Sequence, residues 1–159
     1  MSKISLILDD LYSLVATLLP DHVELINPYL PEDSDNLNMV KGFGITVLEG
    51  DNTHREAGCS LSYERNLELT LTRKVFSADI RNTAAMNTRR TEEKNIFEDQ
   101  LILAKALESD TYLKNSGYEN LSKIYLQSDS GLNYMRVNQS GIIILRSIIQ
   151  IEYFEKLNF

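Results

Sequence analysis

The C-terminal stretch Gly141-Ile-Ile-Ile-Leu-Arg-Ser-Ile-Ile-Gln-Ile-Glu-Tyr-Phe-Glu-Lys-Leu157 constrains the fold more than any other part of the chain. Its isoleucines lose side-chain freedom in a helix and pack well on a pleated surface. It has no proline, and its one glycine stands at its start. These features predict a long β-strand. Between Ile142 and Ile149 both faces are apolar apart from Arg146 and Ser147, which predicts cover on both sides. From Gln150 onward the pattern alternates, with Ile151 and Tyr153 on one face and Gln150 and Glu152 on the other. β-branching and the late alternation separate this reading from that of a buried helix.

A strand covered on both sides needs neighbours, and the rest of the chain offers them. Residues 3–19 place Ile4, Ile7, Leu8, Leu11, Leu14, Val15 and Leu18 at three- and four-residue steps, one stripe of an amphipathic helix. Ser2 is its expected N-cap, Pro20 its stop, and Leu6 lies off the stripe as a candidate contact. Residues 20–41 contain all three prolines and the acidic run Glu32-Asp-Ser-Asp35, a loop with a short strand at His22–Asn27. Residues 42–49 read as a strand, and Cys59 to Phe76 as another extended segment. In the latter, Leu67, Leu69, Leu71 and Arg73 share one face. An antiparallel hairpin of 43–49 with 67–76 is the simplest pairing, with a long arm over about residues 50–65.

Residues 77–91 have weak periodicity and read as a loop, locally basic. The second helix is expected over 91–109, with Ile96, Phe97, Leu101, Leu103, Ala104 and Leu107 inside and Ile102 opposite. Strands follow at Ser122–Gln127 and Tyr134–Val137, separated by a turn at Ser128-Asp-Ser-Gly131. The fold class is therefore α+β. A mainly antiparallel or mixed β-sheet of four to five strands packs against two helices, in the order helix-strand-strand-helix-strand-strand. The chain reads as a single domain, 1–159, with projecting loops near 50–65 and 77–90.

Charge placement bears on partners. The 159 residues sum to −7; residues 1–60 hold ten acids and three bases, and the remainder holds thirteen of each. Phosphate binding needs clustered Lys and Arg, so generic nucleic-acid binding is disfavoured. No run approaches the roughly 20 apolar residues that cross a bilayer, and the acid-interrupted start lacks a secretory pattern, which predicts a soluble protein that starts inside a cell. The single cysteine, Cys59, excludes an internal disulfide.

Chemistry is sparsely signalled. His54, Glu56 and Cys59 could be drawn as a base and nucleophile, but a polar loop lacks the rigid third group that such a pair needs. Asp9 with Asp10, and Asp33 with Asp35, are better read as solvated acids. No phosphate loop, dinucleotide fingerprint, zinc-protease motif or nucleophile elbow occurs. The expectation is a protein without enzymatic activity, cofactor or metal. Arg146 inside an apolar strand predicts a charged partner, within the chain or across an interface, or a place at the rim of the sheet.

The layout resembles the tail-terminator and tail-to-head joining proteins of long-tailed bacteriophages. The matching pieces are the helix at 3–19, the strand pair 42–49 and 67–76, the loop with Arg81, Arg89 and Arg90, the helix 91–109, and the strands Ser122–Ser128 and Ile142–Phe154. The acidic 32–35 loop and the 50–65 arm have no counterpart assigned in that family. The resemblance implies a homohexameric ring on the last tail-tube ring, which stops tube growth and meets the head connector. It implies as partners other copies of the chain, the tail tube protein and neck proteins. The location implied is the head-proximal end of the tail, after assembly in the host bacterial cytoplasm. Ile102, Arg81, Arg89, Arg90 and Arg146 are then the expected interface residues. Asp33 and Asp35 are the expected acids of a channel that DNA passes without specific binding. Three other readings stand beside it: another phage neck or tail completion protein, a small intracellular binding module of the immunity type, and an enzyme whose site residues are scattered in sequence.

Overall fold

The computed structural model describes residues 2–29, 41–48, 53–57, 60–75, 83–109, 121–137 and 140–156. The chain is an α+β protein: among these residues, helices α1 (Lys3–Leu18) and α2 (Thr83–Leu107) lie against a six-stranded sheet. Its strands are β1 (Val23–Glu24), β2 (Lys41–Val47), β3 (Thr53–Ala57), β4 (Ser60–Val75), β5 (Leu121–Val137) and β6 (Ser140–Lys156). Five run side by side in the order β1-β2-β4-β6-β5. β1 is parallel to β2 and every other pairing is antiparallel, so the sheet is mixed.

The isoleucine-rich strand is the spine. β6 pairs with β4 from Ser60↔Lys156 to Val75↔Gly141, and with β5 along its other side. Ile143, Leu145, Ile149, Ile151 and Tyr153 face the helices and join Leu67, Leu69 and Leu71 of β4 and Phe43 and Ile45 of β2 in the core. The helices contribute Ile7, Leu11 and Val15 from α1, and Ile96, Leu103 and Leu107 from α2. Each such side chain is worth roughly 1.5–3 kcal/mol of transfer from water. On the far face Thr70, Thr72, Ile142 and Ile144 are also buried, so β6 has the cover on both sides that its composition predicts.

Part of that far cover is the segment after β1. Leu25 is buried, and its N–H donates to the Phe43 carbonyl at 2.8 Å. Gly44, Thr70 and Arg146 are register neighbours across three strands. Above this row, Pro28 lies so close to Gly44 that a Cβ on Gly44 would fall 2.4 Å from the proline Cβ. Arg146 Nη2 donates to the carbonyls of Tyr29 (3.1 Å) and Pro28 (3.5 Å). Its Nε lies 3.4 Å from Glu68 Oε1. The charge in the apolar strand therefore has its partners within the chain.

α1 forms as the stripe predicts. Ser5 N–H donates to the Ser2 hydroxyl, and Lys3 N–H donates to Glu155 at the end of β6, a carboxylate at the positive end of the helix dipole. The Tyr12 hydroxyl donates to the Ile45 carbonyl at 2.7 Å, tying α1 to β2.

Four expectations are corrected. The second helix begins at Thr83, not at residue 91, so residues 83–90 of the expected 77–90 loop are helical. Residues 86–91 are all exposed, so this part of the helix has no inner face to create periodicity. Phe97 and Leu101 point outward, while Ile96 and Leu103 carry the inner face. The turn expected at residues 128–131 is a bulged passage within one strand. Asp129 pairs with Ser147 and Leu132 with Leu145, three steps on β5 against two on β6. Gly131, at φ 70, absorbs the extra residue, and its N–H donates to Asp129 Oδ1. The 50–65 arm is largely sheet: β3 pairs with residues 60–64 of β4, and those residues lie flat against β6. At its base Tyr153 stacks on Tyr63 with ring centroids 5.3 Å apart, and Arg65 Nε donates to the Tyr153 hydroxyl at 2.8 Å.

Candidate functional site

Two kinds of feature stand out: a buried ionic cluster, and two exposed apolar flanks. The cluster forms where the α1–β1 turn meets β4 and α2. Arg73 lies on the core face of β4, in line with Leu69 and Leu71. Asp99 lies on the inner face of α2, between Ile96 and Leu103. A buried guanidinium needs its charge matched. Arg73 Nε and Nη2 both reach Asp99 Oδ2 at 2.8 Å, and Nη1 reaches Glu92 Oε2 at 2.8 Å. His22 Nε2 lies 3.2 Å from Asp99 Oδ2, although neither ring nitrogen is aligned for a hydrogen bond. Burial pushes the Asp99 carboxyl up. The contacts of His22 and Arg73 outweigh it and hold the group below the usual aspartate range. A small pocket of about 130 Å³ opens beside the cluster, lined by Leu18, Pro20, Asp21, His22, Lys41 and Arg73 among others.

This arrangement braces the α1–β1 turn against α2. Every donor of the guanidinium named above is directed at a carboxylate, so Arg73 is committed to Asp99 and Glu92. The cluster ties the turn that launches β1 to α2, which packs on β4 and β5. Among the described residues, no group of three or more His, Cys, Asp or Glu side chains could hold a metal ion.

The first flank is the β1 end of the sheet. Val23 and Ile26 are exposed there, Ile26 at 66%. Asp21 and Glu24 border them, with the Asp21 side chain 82% exposed and Lys41 Nζ no nearer to it than 4.0 Å. The second flank is the outward face of α2. Met86, Arg90, Phe97 and Leu101 recur at steps of four, seven and four residues, one side of a helix with 3.6 residues per turn. Phe97 is 40% and Leu101 45% exposed. Tyr134 of β5, itself exposed, adjoins this face through its hydroxyl, which hydrogen-bonds Glu93 Oε1. Burial and the Glu93 carboxylate push the Tyr134 phenol up.

The residues singled out from sequence are dispersed. Ile102, 43% exposed, Arg89 and Arg90 all lie on α2. Arg89 pairs with Glu93 at 3.5 Å. Arg146 is instead held on the far face of the sheet by Glu68 and two carbonyls. Arg81, Asp33, Asp35 and Cys59 lie outside the described residues. His54 is in β3, opposite Tyr63. Sequence reasoning missed His22, Asp99 and the outward turn of Phe97 and Leu101.

In sequence, the chain matches no protein-family model and no curated protein. Among the described residues, no helix is long and apolar enough to cross a membrane.

Proposed function

We propose that this protein is a structural subunit that assembles head-to-tail into a ring capping the tail tube of a long-tailed bacteriophage. In this reading it ends tube polymerisation and forms the surface met by the head connector. The observation that carries the reading is the pair of exposed apolar surfaces, one at the β1 edge of the sheet and one on the outward face of α2. Contiguous exposed apolar surface marks interaction sites. Two different surfaces on one subunit suit heterologous contacts, which close into a ring when the rotation allows. The one-sheet, two-helix layout agrees with the family resemblance noted from sequence.

In this reading the partners are other copies of the chain, six to a ring, the tail tube protein and the neck proteins. The working location is the head-proximal end of the tail, and the protein carries out no turnover of its own. Its test is removal from the virus. A phage lacking the protein is expected to make tails of uncontrolled length that fail to join heads, with complementation by the intact chain. Normal tails of uniform length in its absence would overturn the assignment.

A further inference from the structure

We infer that the β1 flank of one copy docks on the outward face of α2 of the next copy. The inference rests on the ring reading and names the two surfaces that mate. Two observations converge on it. Each flank presents exposed large apolar side chains: Val23 and Ile26 on one, Phe97 and Leu101 on the other. The charged borders are opposite in net sign. Asp21 and Glu24 edge the first flank, with Lys41 4.0 Å from Asp21, while the second exposes Arg90, Lys94 and the acid Glu98 beside the Arg89–Glu93 pair. Apolar centres with complementary charged rims fix register and partner choice, and like charges brought together are rejected. The first flank has a net negative border and the second a net positive one, so the better-matched partner for each is the other flank on a second copy.

The outward face of α2 suits this role for a mechanical reason. Its inner face is anchored in the core by Ile96, Leu103 and Leu107, and Asp99 is fixed by Arg73. The first flank follows His22 directly, and His22 packs on that same Asp99. Both surfaces are therefore presented by elements that the buried cluster holds rigid, which lowers the ordering cost of association.

The test uses the full chain in a Cys59→Ser background. One preparation carries Ile26→Cys and a second carries Phe97→Cys, and a short bis-maleimide is added to each alone and to the mixture. The expected result is covalent dimer in the mixture and little in either preparation alone. No dimer in the mixture up to millimolar protein, or equal dimer in each preparation alone, overturns the inference. A charge swap is the second arm. Glu24→Arg and Arg90→Glu should each weaken self-association at least about tenfold, and mixing the two variants should restore it. Failure of the mixture to recover overturns the pairing. A six-membered ring that forms without the Ile26–Phe97 crosslink would leave the ring reading standing and remove this contact. The crosslink in an assembly of only two copies would do the reverse. Capture of the α2 face by tube protein with no self-crosslink would also remove it.

Discussion

Arg73 and Asp99 stand 26 positions apart in sequence, and two guanidinium nitrogens of the first, Nε and Nη2, each lie 2.8 Å from one carboxylate oxygen of the second. Both residues are about 6% exposed. Removing one partner of such a pair strands the other charge in a medium that solvates it poorly. Asp99→Ala or Arg73→Met should therefore destabilise the fold by about 3–5 kcal/mol. Urea unfolding of the variants checks this, and a loss below about 1 kcal/mol would show that water reaches the cluster freely.

The same pair sets the response to acid. The Asp99 carboxyl sits below its ordinary value of 3.8 in the folded protein. Its contribution to stability is thus fully present above that ordinary value. It is lost as pH falls through the lower, folded value, because the folded state must then take up a proton it binds poorly. Unfolding free energy measured from pH 6 downward should fall less steeply in Asp99→Asn than in the parent at the acid end. Parallel curves would mean that other carboxylates carry the acid response.

Gly44 and Pro28 make a packing prediction. A methyl group on Gly44 would fall 2.4 Å from the Pro28 Cβ and 2.9 Å from its Cγ. Overpacking of this sort costs about 1–3 kcal/mol. Gly44→Ala should lose that much and raise amide exchange at Leu25, whose N–H bonds Phe43 across the same cover. The double variant Gly44→Ala with Pro28→Gly removes the clashing atoms and should be less than additive in its loss. Strict additivity would place the two residues out of contact.

Phe97 and Leu101 separate folding from assembly. Both are exposed on α2, and exposed substitutions away from special features change stability by roughly 0.5 kcal/mol or less. Phe97→Asp combined with Leu101→Asp should unfold close to the parent midpoint yet fail to self-associate, as read by light scattering. A large drop in the midpoint would show that the two side chains are part of the core.

How far these features could be read from sequence depends on what each segment buries. α1 was legible because one of its faces is buried along its length, from Ile7 to Val15. The first turns of α2 were not, because residues 86–91 bury nothing and leave no period to find. The β5 bulge hid behind Gly131, since a glycine with positive φ serves a turn and a bulge equally well. The buried cluster did leave a trace. Arg73 shares the strand face of Leu67, Leu69 and Leu71, and Asp99 falls three residues after Ile96 and four before Leu103. A charge on each of two apolar faces is a sign that the two meet. His22 offered no such trace, because a turn has no face against which to judge it. The two flanks became visible only when the outward side of α2 was distinguished from its inward side.

The most direct measurement is to locate the protein on virus particles, using an antibody or a gold-bound tag on the intact chain. One ring of label at the junction between the head and the tail tube, with six copies per particle, is the expected result. Label along the whole tube, label at the distal tip, or particles free of the protein would contradict it.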